Sequence, residues 1–388
     1  MKKKIALISD SRCSHGIYLP VLEEINNSSD FEYIYIVTGT HLSENFGETI
    51  NEIKDQGYTI HYTFGSSLND SNYNQTKNIS EFIDNLLKIF SIDRPDFILA
   101  QGDRTITLAA AIVGSYLRIP VAHMHGGEIS GTIDESARHA ITKLSHIHFA
   151  ATTKSAERIL RLGEENFRVH IAGSTSVEKI KNYVLELKEL DIKNILQKYG
   201  LNDLDKFLIV LQHSVSGQEN ESGKQIISTL EAVAEVGLPT LLIYPNSDPG
   251  NEEIIKNLKE YSFRNNLFIV KKNVPYLDYL VLLSKSSCLI GNSSGGIVEA
   301  PSLGLPVINI GGRQIGRERA KNIIDVKHDK EEIKTAIKKS LFDEDFKEIV
   351  KKCETPYNPY NNHKASKIIL DVLRKIEVNN ILDKKMTY

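Results

Sequence analysis

The stretch Cys288-Leu-Ile-Gly-Asn-Ser-Ser-Gly-Gly-Ile-Val-Glu-Ala300 decides how the chain is read. An apolar strand end, Cys288 to Ile290, runs into a turn of Gly291, Asn292, Ser293, Ser294, Gly295 and Gly296. Ile297 to Leu303 then reads as the start of a helix. Backbone N–H groups at such a turn converge on one point, where the helix dipole favours negative charge. That describes a phosphate cradle. It equally describes a capped turn with Ser294 as N-cap and glycines that allow close packing. The chain has neither the Walker lysine pattern nor the spaced dinucleotide fingerprint, so neither an NTPase nor a nicotinamide enzyme is signalled.

The same strand-to-loop pattern repeats on both sides of this turn. Phe207 to Leu211 ends at Gln212-His213-Ser214, Thr240 to Tyr244 ends at Pro245-Asn-Ser-Asp-Pro-Gly250, and Leu267 to Val270 ends near Lys271 to Pro275. Val307 to Ile310 ends at Gly311-Gly-Arg-Gln-Ile-Gly-Arg317, and Ile323 to Val326 reads as one more strand. Open α/β sheets collect their ligands at the carboxyl ends of the strands. His213, Asn246, Ser293, Ser294 and Arg313 all follow successive strands, so they are expected on one rim. Arg313 beside a phosphate cradle is a natural pairing, whereas Arg317 and Arg319 read as surface charges.

An earlier set of alternating elements precedes this one. Ile5 to Ile8 reads as a strand, Ser9 to Gly16 as a polar loop, and Ile17, Val21, Leu22 and Ile25 recur at helical spacing. Arg12 then lies at the carboxyl end of the first strand, as a site arginine or a solvated one. Further strands are expected at Tyr33 to Val37 and Tyr58 to Phe64, with a helix through Phe46, Ile50 and Ile53 between them. A longer helix carries Ile79, Phe82, Ile83, Leu86, Leu87 and Phe90 on one face. Pro95 to Ala100 delivers Gln101-Gly-Asp-Arg-Thr105 to the same sheet edge. Asp103 can cap the helix that follows, but Arg104 places an anion donor beside it and favours a site role for both.

Pro120-Val-Ala-His-Met-His-Gly-Gly-Glu128 is the densest polar cluster. Together with Asp134-Glu-Ser-Ala-Arg-His139 it brings His123, His125, His139, Glu128, Asp134 and Glu135 close together in sequence. A metal site has to be weighed, yet no histidine pair has the one-turn spacing of a zincin, and Asp134 and Glu135 open a helix, where negative charge is favoured anyway. General acid/base chemistry is preferred, because crowding carboxylates with an imidazole drives their pKa values apart. Strands at Ile147 to Ala151 and Val169 to Ala172 complete this half.

With 388 residues and 41% hydrophobic composition, the chain is expected to form two domains. They are placed at residues 1–175 and 176–360, with 361–388 as a final helix packing back on the first and Val378 to Tyr388 as a frayed end. The 47 basic and 50 acidic residues are intermixed, so no global field draws nucleic acid or a membrane surface. Three cysteines, Cys13, Cys288 and Cys353, fit reduced thiols. The apolar run after Met1-Lys-Lys-Lys4 is too short for a signal peptide or a membrane span, and a cytoplasmic location is expected.

Several blocks resemble the hydrolysing UDP-N-acetylglucosamine 2-epimerases of sialic acid biosynthesis, including the epimerase half of the bifunctional animal enzyme. They are Gln-Gly-Asp-Arg104, Gly126 to Asp134 continuing through Arg138 to His146, Leu211-Gln-His213, Tyr244-Pro-Asn246, Ile290-Gly-Asn-Ser-Ser294 and Arg313-Gln-Ile-Gly-Arg-Glu318. The resemblance spans nearly the full length. It implies an α/β fold of GT-B architecture, two Rossmann-like doubly wound domains facing across a cleft. It further implies C2 proton abstraction from a nucleotide-sugar, loss of UDP to leave a glycal, and hydration to free N-acetylmannosamine. Carried over by motif, Arg12, His213, Asn246, Val274, Ser293, Ser294, Glu299 and Arg313 would hold UDP, with Glu299 on the ribose and His213 on the phosphates. Asp103, His125, Glu128 and Asp134 would handle protons, and Arg104 would position ligand. No metal and no cofactor are implied, and the family suggests a homodimer or homotetramer.

Two positions depart from the sialic acid pattern. His125 stands where those enzymes carry a Glu, and relatives acting on 2,4-diacetamido-2,4,6-trideoxy sugars for legionaminic acid carry His there, with UDP or GDP as the carrier. Arg12-Cys-Ser-His-Gly16 replaces the usual acidic-aromatic pair of the first loop. From other classes, a GT-B glycosyltransferase would share the cleft but need an acceptor, and a nucleotide-sugar binder would turn nothing over.

Overall fold

The computed structural model describes residues 2–66, 72–130, 133–202, 204–361 and 364–388. Contacts divide the chain into two units, one of Met1–Ile129, Ile133–Lys179 and Tyr357–Tyr388, the other built on Ile180–Pro356. Each holds one wholly parallel sheet, because every pair of successive strands is joined by a segment long enough to cross over. Two such doubly wound units in one chain are the components of the GT-B architecture.

The first sheet contains β1 (Lys3–Ser9), β2 (Phe31–Val37), β3 (Tyr62–Thr63), β4 (Phe97–Gln101), β5 (Val121–Met124), β6 (Ile147–Ala150) and β7 (Val169–Ile171), in the order β3-β2-β1-β4-β5-β6-β7. The second contains β8 (Leu208–Leu211), β9 (Thr240–Ile243), β10 (Phe268–Lys271), β11 (Cys288–Gly291), β12 (Val307–Ile310) and β13 (Ile323–Val326), in the order β10-β9-β8-β11-β12-β13. The strand order reverses between β1 and β4 in one sheet and between β8 and β11 in the other. Loops leaving neighbouring strands at a reversal diverge to opposite faces and open a crevice between them.

Both faces of the first sheet are covered, so its central strands β1 and β4 carry apolar runs, Ile5 to Ile8 and Phe97 to Ala100. Ile5, Leu7, Tyr35, Phe97 and Leu99 pack with Tyr18, Val21 and Leu22 of the helix Arg12–Asn26 and with Ile369, Leu370 and Leu373 of the helix Ala365–Lys375. Ala6, Ile34, Ile36, Ile98 and Val121 pack on the opposite face with Phe82, Leu86 and Phe90, and with Ala109, Ala110 and Val113. A comparable core in the second unit joins Leu208, Val210, Leu242, Ile290 and Ile308 to Ile226, Leu230, Val233, Ile333 and Ile337.

Four local expectations are corrected. Arg12 to Gly16 is not a loop but the first turn of the helix Arg12–Asn26, because Ser11 caps it: Ser11 and Ser14 exchange side-chain and backbone hydrogen bonds as a capping box. The helix expected at Ile297 to Leu303 is a single turn, Gly295–Val298, followed by a 3-10 turn Ala300–Leu303. Pro301 has no N–H to continue the ladder. The helix expected through Phe46 is reduced to Ile50–Asp55, since Gly47 adopts φ 87° after a 3-10 turn.

The end at Val378 to Tyr388 is tied down rather than frayed. Arg168, 1% exposed, donates to the carbonyls of Ile381 (2.6 Å) and Asp383 (2.7 Å) and to the Glu165 carboxylate (2.7 Å). Lys384 donates to the carbonyl of Ser145 (2.6 Å) and pairs with Glu164 (2.6 Å), whose fully buried carboxylate also meets Lys143 and His148. Burial alone would raise the Glu164 pKa; these donors bring it down to about 2. The helix Ala365–Lys375 is likewise finished by remote side chains. Glu178 accepts from the Ser366 N–H (2.8 Å) at its start, and Lys3 donates to the carbonyls of Leu373, Arg374 and Ile376 at its end.

Removing residues 377–388 strips Arg168 of two carbonyl partners and Glu164 of Lys384. Breaking a buried charge network costs about 3–5 kcal/mol. The urea midpoint of the truncated chain is therefore expected to fall markedly, and an unchanged midpoint would show that the tail contributes nothing to the first unit.

Candidate functional site

In the first unit the loops after β1, β4 and β5 carry a cluster of paired charges. Asp10 follows β1, Asp103 and Arg104 follow β4, and His125 and Glu128 follow β5. Arg104 Nε donates to Asp10 Oδ2 at 2.6 Å. Burial pushes the Asp10 pKa up, but the Arg104 guanidinium outweighs it and holds the carboxyl below its usual range. Arg138, 1% exposed on the helix Ile133–Leu144, donates through Nη2 to the Asp103 carboxylate and through Nη1 to the carbonyl of Glu128 at 2.9 Å. One guanidinium thus fixes Asp103 against the loop that bears His125.

The His125 loop is tightly wound. His125 itself sits at φ 60°, and Gly127 at φ 73° approaches the carbonyl of Ser155 so closely that a Cβ would lie 2.2 Å from it. A non-glycine residue in the left-handed region costs roughly 1–2 kcal/mol, and such strain gathers where geometry has a use. His125 Nδ1 lies 2.7 Å from Glu128 Oε1, and both side chains are almost fully buried. A carboxylate only accepts, so Nδ1 carries a proton, and in the neutral ring Nε2 then carries the lone pair. That Nε2 is buried and has no hydrogen-bond partner.

His123, counted in the same cluster, is structural. Its Nε2 donates to the carbonyl of Gly102 (2.7 Å), its Nδ1 meets Thr142 Oγ1 (3.2 Å), and burial lowers its pKa to about 3. His139 lies 3.5 Å from Glu135 on the helix Ile133–Leu144, and Asp134 occupies that helix's first turn. Gly131 and Thr132 of the Gly126 to Asp134 block lie outside the described residues. Among the described residues no group of three or more His, Cys, Asp or Glu is placed to hold a metal ion. Arg12 is half-buried at the first position of its helix.

In the second unit the loops after β8 and β11 are bolted together by Asn292, which is fully buried. Its Oδ1 accepts from the His213 N–H (2.7 Å) and its Nδ2 donates to the His213 carbonyl (2.9 Å), so the amide side chain extends the β8–β11 pairing by one peptide. Gly291 makes this possible: at φ 137° its missing Cβ would lie 2.1 Å from the carbonyl of Leu211. The carbonyl of Asn292 accepts from Arg313 Nη1 (3.2 Å) and Gln314 Nε2 (2.9 Å), which brings the loop after β12 to the turn.

His213 Nδ1 accepts from the Asn246 N–H at 3.0 Å, so its proton is on Nε2. This is the tautomer opposite to His125. Asn246 Nδ2 donates to Asp248 Oδ2 (2.5 Å), and Arg313 Nη2 stands 3.8 Å from the same oxygen. Ser293 Oγ accepts from the Gly295 N–H (3.3 Å), while Ser294 occupies the N-cap position without a side-chain capping bond. Glu299 is nearly buried; its Oε2 and the Tyr279 hydroxyl would each lie 3.0 Å from a Cβ placed on Gly295. Val274 is wholly buried, so its backbone is the part a ligand could address.

The structure therefore gathers Asp103, Arg104, His125 and Glu128 in the first unit, and His213, Asn246, Ser293, Ser294, Glu299 and Arg313 around β8, β9, β11 and β12 in the second. Four participants were not singled out from sequence: Asp10, Arg138, Asn292 and Asp248. Arg138 lies inside a quoted block, and its place four residues after Asp134 on a helix could have drawn it in. Asn292 also lies inside a quoted block, whereas Asp10 carries no such local signal.

The model of the UDP-N-acetylglucosamine 2-epimerase family matches residues 23–374. The chain is 34% identical to UDP-N,N'-diacetylbacillosamine 2-epimerase (hydrolyzing) of Legionella pneumophila over 391 aligned positions, covering 100% of both chains. It is 32% identical to UDP-N-acetylglucosamine 2-epimerase of Neisseria meningitidis serogroup B, covering 87% of each. A crystal structure of UDP-GlcNAc 2-epimerase from Neisseria meningitidis bound to UDP-GlcNAc superposes with a TM-score of 0.81 at 23% identity, over 96% of this chain and 100% of that one, which shows the common fold.

Three buried histidines around the first site give a pH signature. Burial lowers His15 to about 4 and both His41 and His123 to about 3. The unfolded chain takes up protons on these rings near pH 6.5 while the folded one does not, so stability is complete above that pH and lost as pH falls below it. Each ring contributes up to about 2 kcal/mol between pH 7 and 5. The urea midpoint is expected to drop steadily over that interval; a flat profile would mean the rings are not held neutral.

Proposed function

The chain belongs to the UDP-N-acetylglucosamine 2-epimerase family, and from that premise we propose that it is a hydrolysing 2-epimerase of a UDP-linked 2-acetamido sugar, UDP-N-acetylglucosamine first. A base takes the C2 proton, the C1–O bond breaks with its electron pair leaving on UDP, and a C1=C2 glycal remains. Water then adds its hydroxyl at C1 while a proton returns to C2 on the other face, giving UDP and the free 2-epimer, N-acetylmannosamine. Such a product suits nonulosonic acid biosynthesis in the cytoplasm.

The observation that carries this reading is the paired arrangement of Asp103 and the His125–Glu128 dyad on one guanidinium, Arg138. Elimination and hydration need two proton-handling groups held in fixed relation. His125 Nε2, a buried lone pair backed by a carboxylate, suits the role of base, and Asp103 and Asp134 complete the acid/base set. Arg104 helps to position the ligand. In the second unit His213, Ser293, Ser294 and Arg313 hold the diphosphate, while Asn246, Val274 and Glu299 line the nucleoside, with Glu299 on the ribose and Arg12 of the first unit as a further UDP contact. With its proton on Nε2 and a backbone N–H on Nδ1, His213 stabilises the leaving phosphate as a hydrogen-bond donor.

A second reading has its own support. The full-length match to the Legionella pneumophila relative, together with His125, favours 2,4-diacetamido-2,4,6-trideoxyglucose carried on UDP or GDP as the sugar.

Proton NMR of the protein in deuterated buffer with each nucleotide-sugar tests both readings. Free 2-epimer with deuterium at C2, plus nucleoside diphosphate, is the expected outcome for one of them. UDP binding with no sugar released from either would instead favour a transferase awaiting its acceptor. Asp103→Asn is expected to retain UDP affinity while turnover falls about 10²–10⁴-fold; unchanged turnover would remove Asp103 from the acid/base set. Arg313→Ala is expected to weaken UDP binding, which equilibrium titration reads directly.

A further inference from the structure

Arg319 has no task in the reaction scheme, yet it is not the free surface charge that its place in the sequence suggests. Its Nη1 donates to both oxygens of Asp325 (2.7 and 2.8 Å), and its Nη2 donates to the backbone carbonyl of Gln314 (2.6 Å). Asp325 stands on the edge strand β13, where Asn309, its partner in register on β12, donates Nδ2 to Oδ1 (2.7 Å). The guanidinium thus reaches from β13 back over the loop that leaves β12.

That loop carries Arg313 and Gln314. Its start is closed against the His328 ring at Gly311, where a Cβ would lie 2.3 Å from Nε2. Gln314, 2% exposed, is held at both ends: Arg319 grips its carbonyl, and its own Nε2 donates to the carbonyl of Asn292 (2.9 Å). Arg313 Nη1 reaches the same carbonyl (3.2 Å), and the Asn292 side chain carries the His213 peptide. A continuous chain of hydrogen bonds therefore runs from Asp325 through Arg319, Gln314 and Asn292 to His213.

The Arg319 side chain is 24% exposed and that of Asp325 62% exposed, so their pairing adds little to stability. What it supplies is direction. Three N–H groups of one planar guanidinium are spent on protein acceptors, which a lysine could not reproduce in the same geometry. Donors to a bound anion have to be held to within a fraction of an ångström by the groups behind them.

Resting on the reading above, in which the turn after β11 and Arg313 hold the diphosphate, we propose that Arg319 and Asp325 are positioning residues for that site. The pair fixes Gln314, and through it Arg313 and the Asn292 turn, so affinity for a nucleoside diphosphate depends on an ion pair that does not touch it.

The test titrates UDP by calorimetry into Arg319→Gln, Arg319→Lys, Asp325→Asn and the Arg313→Ala/Arg319→Gln double variant, and follows amide hydrogen exchange in the same proteins without UDP. Arg319→Gln is expected to weaken UDP binding about 3–10-fold, and Asp325→Asn to weaken it in the same direction. Arg319→Lys should recover only part of the loss. The double variant should lose less than the two single losses combined, because Arg319 acts partly through Arg313. With a turned-over nucleotide-sugar, KM should rise while kcat stays within about twofold, a split that lost folding would not produce. The His213 N–H should exchange faster in Arg319→Gln, with the β4 and β5 peptides of the first unit unchanged. Unaltered UDP affinity in Arg319→Gln, or fully additive losses in the double variant, would overturn the proposal. So would tighter UDP binding by Asp325→Asn, which would make Arg319 itself a diphosphate anchor freed from a competing carboxylate. Exchange needs no ligand and separates the two failures: a parent protein that binds no UDP defeats the nucleotide reading, whereas unchanged exchange at His213 defeats the relay.

Discussion

A charge that leaves water has to find an opposite charge, and this requirement shapes the first unit around its crevice. Asp10 meets Arg104, and Asp103 meets Arg138. Each pair joins segments that are distant in sequence, so the ionic contacts also register β1 against β4 and β4 against the helix Ile133–Leu144. A buried ion pair need not add net stability. Beside these pairs His125 Nε2 is, among the described residues, one of the buried polar atoms without a hydrogen bond.

Two histidines show how one hydrogen-bond partner selects the tautomer of a neutral ring. Glu128 receives the Nδ1 proton of His125 and exposes a lone pair, whereas the Asn246 N–H occupies Nδ1 of His213 and leaves a donor. The same side chain thus offers a lone pair in one unit and a donor in the other. A different partner on Nδ1 makes the whole difference.

Much of the fold was legible because parallel strands buried on both faces leave apolar runs, as β1, β4, β8, β9, β11 and β12 do. The residues after those runs could be proposed as site residues for the same reason. What could not be read were contacts that depend on closure over long distances. Ser11 and Ser14 form a capping box without the usual Glu or Gln, so the helix at Arg12 looked like a loop. Asn292 resembled any turn asparagine, although it substitutes for a peptide between β8 and β11. Lys3 and Glu178, which finish the helix Ala365–Lys375, lie 370 and 188 residues from the groups they bind.

That last helix has a consequence for the order of events during synthesis. The first unit takes its final segment from the end of the chain, so the buried Arg168 guanidinium must wait for carbonyls 213 and 215 residues downstream. At typical elongation rates the delay is about 10–40 s. Throughout it the entire second unit emerges and can fold, while the first stays open along the surface that the helix Ala365–Lys375 will cover. The ribosome thus finishes the later unit before the earlier one.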